Sequence, residues 1–106
     1  MVVLCNCLCS FDDVHMIAEL IKRRRLQILV HSAIYYDFDR NIIDDATWTK
    51  WANELVDLQS KYPDISKDVI LHDEFKDFDG STGFNLPTHL AEAQARYLLK
   101  LRGEQL

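Results

Sequence analysis

The chain has 106 residues, 48% hydrophobic and 27% charged, with a net charge of −5. This suits one ordinary globular domain with a thin core and is too short for two. The acidic balance argues against a general nucleic-acid binder, which carries a basic face, and no apolar run nears the roughly 20 residues that cross a bilayer.

The opening segment, MVVLCNCLCS, has no basic residue before it and no cleavage-like pattern after it. It is not read as a signal peptide, so the expected location is the cytoplasm, and no membrane partner is expected. Met1–His15 reads as a lead-in, with residues 16–106 as a single helical domain. The three cysteines, Cys5, Cys7 and Cys9, all fall in the lead-in. An odd count without partners elsewhere gives no disulfide framework. The Cys-x-Cys-x-Cys spacing and the lack of a fourth ligand nearby argue against zinc, so no metal is expected.

One long helix is expected from about Phe11 to Phe38. Asp12 and Asp13 suit its N-terminus. Val14, Ile17, Ala18 and Ile21 make one apolar stripe, which Leu26, Leu29, Val30 and Ala33 continue with a shift. Residues 37–41 (DFDRN) read as a turn. A second helix is expected from about Asp45 to Tyr62, capped by Asp44 or Asp45 and ended by Pro63. Its stripe is Trp48, Trp51, Ala52, Leu55, Leu58, Gln59 and Tyr62. A short helix or turn follows around Ser66–Lys76, then a loop from Asp77 to Pro87 that contains Gly80 and Gly83. A last helix starts near Thr88, its expected N-cap, with Leu90, Gln94, Tyr97, Leu98 and Leu101 as its inner face and Gly103 at its end. The expected fold is a small all-α domain: a long antiparallel helix pair, a C-terminal helix and a glycine-containing loop.

The stretch around the first turn carries the chemistry. Tyr35 and Trp48 flank it, and Asp45 sits within it. Two helices folded back on each other would bring the rings together around a slot with a carboxylate at its edge, which suits a flat heterocycle. The same residues also make an ordinary helical core, and Asp45 also serves as a helix cap. His31 lies one turn before Tyr35 on the same face, where it either meets a ligand or packs in the core. Of the basic run Lys22–Arg25, Arg24 and Arg25 are best placed to meet a phosphate; the alternative is a solvated turn. The Gly80–Gly83 loop either cradles a phosphate or docks Phe84 and Leu86. The run Asp77–Gly80 lacks the acids an EF-hand needs. No Ser–His–Asp or Cys–His arrangement can be drawn, so no catalytic residue is expected.

The order Ile34-Tyr35-Tyr36, Ile43-Asp44-Asp45, Trp48-Thr49, Glu54-Leu55-Val56-Asp57-Leu58 and Tyr62-Pro63 resembles, without a gap, the N-terminal domain of bacterial NAD-dependent DNA ligases. That module grips the nicotinamide mononucleotide half of NAD. The resemblance spans Arg24–Ser66 and implies that Tyr35 and Trp48 sandwich a nicotinamide, with Asp45 near the ribose or carboxamide. Tyr36 and Thr49 stand at two further contact positions, where the family has His and Asp. The ligase's adenylating Lys-x-Asp-Gly is absent; Lys76-Asp77-Phe78-Asp79-Gly80 is one residue too long. Compact stand-alone relatives of this kind resemble ligase-related proteins of bacteriophages of Gram-positive hosts. The resemblance therefore implies a non-enzymatic nucleotide-binding module for NMN, NAD or an ADP-ribose derivative, and an anti-defence role in sequestering a host nucleotide signal. The competing expectation is a protein-interaction module that docks on a host ligase or defence protein. Self-association stays open under both.

Overall fold

The computed structural model describes residues 11–103. The expectations for Cys5, Cys7 and Cys9 lie outside them, and so does the side chain of Asp12. Every element among the described residues is helical. Helix α1 spans Phe11–Asp37 and runs without a break past Met16. Helix α2 spans Asp45–Lys61 and packs along α1. The short helices α3 (Pro63–Lys67) and α4 (His72–Phe75) follow. A 3₁₀ turn over Thr88–Ala91 leads into α5, Glu92–Leu101, and both pack on α1. Helix α1 is thus the rod against which the rest is laid.

The turns follow from local chemistry. After α1 the amide of Arg40 donates to the carbonyl of Ile34 at 3.0 Å, and Asp39 takes φ 53°. The helix thus stops at an aspartate tolerated in the left-handed position. Asp44 caps α2 by accepting from the Thr47 amide at 2.8 Å. That hydrogen bonding holds the Asp44 carboxyl below its usual range. Asp45 is then the first helical residue, where a carboxylate also suits the helix dipole.

The core is built from Ile21, Ile28, Leu29, Ala33 and Ile34 of α1, Ala52 and Leu55 of α2, Phe75, and Ala91, Ala95 and Leu99. The α2 stripe is as expected: Ala52 and Leu55 are buried, and Trp48, Trp51 and Leu58 pack against them. Within Ser66–Lys76, expected as a short helix or turn, α3 ends at Lys67, turns follow through Leu71 at φ 68°, and α4 begins at His72. Pro63 ends α2 as expected and also opens α3, where its missing N–H costs nothing. The expectations for the last helix are corrected. At the last helix the inner face is Ala91, Ala95 and Leu99, with Leu98 beside it. Leu90, Tyr97 and Leu101 are exposed, and Thr88 makes no side-chain cap. Small alanines let α5 lie close to α1, and a search for large apolar residues passes over them.

Candidate functional site

The end of α1, the turn after it, the start of α2 and the Ser81–Gly83 loop enclose a cavity of about 360 Å3. That falls within the usual range for small-molecule sites, roughly 300–1,000 Å3. Six of the eight residues singled out from the sequence line it: His31, Tyr35, Tyr36, Asp45, Trp48 and Thr49. Tyr35 is 55% exposed, and Trp48 is half-buried. The two rings come from different helices and wall one space. The apolar part of the wall is completed by Ile34, Ile42 and Ile43.

The glycine loop is fixed to the helices from several sides. Asp79 accepts from the Ser81 amide at 2.9 Å and from its hydroxyl at 2.6 Å. These bonds hold the Asp79 carboxyl below its usual range. The hydroxyls of Tyr36 and Thr82 share a hydrogen bond of 2.9 Å, and the Tyr36 ring meets Phe84 edge-on with centroids 5.5 Å apart. Gly83 is buried against α1. A Cβ there would fall 2.1 Å from Ser32 Oγ and 3.5 Å from Trp48 Cζ2. Only a residue without a side chain lets the loop come so near.

Arg24 and Arg25 do not line the cavity, because the fold engages both elsewhere. Arg24 Nε donates to Glu54 at 2.6 Å, and its Nη1 to Gln27 at 2.7 Å. Arg25 is fully buried. Its Nε donates to Gln59 Oε1, its Nη1 to the carbonyls of Val69 and Ile70, and its Nη2 to the carbonyl and hydroxyl of Ser66. All five guanidinium N–H groups are thereby used. Burial lowers the Arg25 pKa, and the charge of Glu74 partly offsets this. Arg25 therefore serves as a structural peg, while Lys22 and Arg23 of the same run are exposed.

The lining arginine is instead Arg40, from the turn. Its Nη1 donates to the Phe38 carbonyl at 3.1 Å. Sequence reasoning also missed Ser32 and Asn41 as lining residues, whereas the Gly80–Gly83 loop it raised as a phosphate cradle does bring Ser81, Thr82 and Gly83 to the cavity. Arg40 offered no periodic signal, since it lies in a turn. His31 has its ring tilted 52° to that of Trp51, with centroids 5.5 Å apart. Burial lowers the His31 pKa, so the imidazole is neutral at pH 7.

Among the described residues no cluster of three or more His, Cys, Asp or Glu is arranged to hold a metal. None of the described helices is long and apolar enough to cross a membrane. Comparison with known protein families, curated proteins and solved structures finds no match to this chain.

Proposed function

We propose that the chain is a non-catalytic binding module for a nucleotide with a planar base, of the nicotinamide or ADP-ribose type. The observation that supports this best is that Tyr35 and Trp48, from two helices, wall one cavity that also takes Asp45 and Arg40. A base lies against the rings, where stacking contributes about 1–3 kcal/mol per base. Asp45 accepts from a ribose hydroxyl or an amide. Arg40, rather than Arg24 or Arg25, is the cation on the phosphate side. A cavity with rings and fixed polar groups but no drawn nucleophile suits holding a ligand over converting it. In a phage setting this reading extends to sequestering a host nucleotide signal. The test is calorimetric titration with NMN, NAD, ADP-ribose and cyclic nucleotides, with the protein near 100 µM, a concentration on the order of weak affinities. Quenching of tryptophan fluorescence reads the same event. No heat and no quenching with any of them refutes the proposal.

One observation favours a second reading, docking on a host protein. Val30 of α1 and Ala93, Gln94, Tyr97, Leu98 and Leu101 of α5 line a shallow, largely apolar groove, and Tyr97 and Leu101 are each 65% exposed. Under this reading Tyr97→Glu abolishes the interaction and leaves nucleotide titrations unchanged.

A further inference from the structure

The cavity is acidic as well as aromatic. Asp44 and Asp45 both line it, and both are exposed to solvent there. The hydrogen bonds of the α2 cap hold the Asp44 carboxyl below its usual range, so it is ionised at pH 7. Among the described residues that line the cavity, Arg40 carries the one formal positive charge. Its Nη1 already donates to the carbonyls of Phe38 and Asp39. Burial keeps His31 uncharged at pH 7. Two carboxylates thus face one guanidinium, and the balance is negative. Backbone dipoles do not reverse it, because the positive end of α2 and the negative end of α1 meet at this place and offset each other.

The rings have the same preference. Tyr35 and Tyr36 are 55% and 41% exposed. Their planes stand 87° apart with centroids 4.8 Å apart, so they form a corner. Trp48 brings a third ring to the cavity from α2. An aromatic ring is negative on its face, so a cation within about 6 Å of the centroid is attracted beyond what burial alone gives. A neutral guest gains only the apolar contact. A cation gains that contact, the ring electrostatics and the carboxylates together, and an anion meets the carboxylates as repulsion.

Resting on the pocket reading above, we propose that the cavity selects its ligand by positive charge. It takes a permanently charged organic nitrogen over a neutral group of the same shape. The shared chemistry is a soft monocation, carried either in the flat ring of an N-alkylpyridinium or as a trimethylammonium head. Asp45 supplies the counter-charge, and Tyr35 and Trp48 supply the ring faces.

The test uses the full chain and two probe pairs. One is nicotinamide riboside with its neutral dihydro form. The other is choline with the neutral alcohol in which carbon replaces the nitrogen. Calorimetry is expected to show at least roughly tenfold tighter binding of the cation in one pair, and the pair that responds identifies the carrier. Asp45→Asn leaves the Asp44 cap in place and should narrow the preference to within about threefold. Tyr35→Leu keeps an apolar wall without the ring face and should do the same. Thermal melts confirm that both variants, changed at exposed positions, stay folded. Equal affinities within both pairs, or a preference that survives both substitutions, overturns this inference and leaves the pocket reading standing. Silence from all four probes overturns it too. The pocket reading survives that result if ADP-ribose binds, and falls if no nucleotide does.

Discussion

Replacing Arg25 by lysine keeps the charge but reduces five N–H donors to three. The acceptors now served are Gln59 Oε1, the carbonyls of Val69, Ile70 and Ser66, and the Ser66 hydroxyl, at 2.6–3.1 Å. An ammonium can satisfy three of these at best, and since the Ser66 carbonyl keeps the Val69 amide at 3.3 Å, at least one acceptor is left without a partner beside a fully buried side chain. Each orphaned buried acceptor costs about 1–3 kcal/mol, so Arg25→Lys should lose at least about 1–3 kcal/mol. Arg25→Ala removes every donor and leaves a void, which rivals the roughly 5–15 kcal/mol that holds a domain together. The neighbouring substitution is the control. Arg24 and Glu54 form an ion pair with side chains 16% and 37% exposed, so Arg24→Ala should cost only about 0.2–1 kcal/mol. Urea unfolding followed by tryptophan fluorescence reads all three. In thermal melts Arg25→Lys should fall by roughly 5–20 °C. If Arg25→Lys unfolds within about 0.5 kcal/mol of the parent, or Arg24→Ala costs as much, the account of Arg25 as a satisfied peg is refuted.

Gly83→Ala must push the Ser81–Phe84 loop off α1, since the new methyl would overlap Ser32 Oγ; titration should show at least tenfold weaker nucleotide binding, roughly, with a stability loss of about 1–3 kcal/mol. An unchanged affinity would mean that the loop takes no part in the site. Tyr35→Ala, at a side chain 55% exposed, should leave stability within about 0.5 kcal/mol but weaken binding by about 1–3 kcal/mol. Trp48→Ala should reduce both, because the indole also packs edge-on against Phe78 with centroids 6.3 Å apart. The pH dependence has a defined sign. His31 has a folded-state pKa below its ordinary 6.5, so the unfolded chain binds the proton more readily. Stability should therefore fall as pH drops below about 6.5 and level off under the lowered folded value. His31→Phe should flatten that part of the profile in urea titrations between pH 7 and 5, and an unaltered slope would assign it to another group.

Periodicity carried the fold where side chains were large. The α2 stripe and the end of α1 follow from it directly, and the stop at residues 37–41 follows from aspartate chemistry. The last helix was misread by one position because its buried face is Ala91 and Ala95. Alanine scores weakly as an apolar signal, yet it permits the closest backbone approach. The positive φ of Leu71 within the expected helix or turn has no local signature in the sequence. At the site, the rings and Asp45 were legible because they bracket one turn. Arg25 misled because a sequence cannot tell a solvated cation from one that the fold will ring with carbonyls. Ser32 was hidden because its place beside Gly83 is a tertiary contact with no local signature.

The length of α1 has a practical corollary. The cavity wall begins at His31, and the helix starts at Phe11. At 1.5 Å per residue those points stand about 30 Å apart along one rigid rod. A dye, a surface tether or a fused reporter joined ahead of Phe11 is therefore held well clear of the opening. Reporters that test the cavity for a ligand are best built from that end.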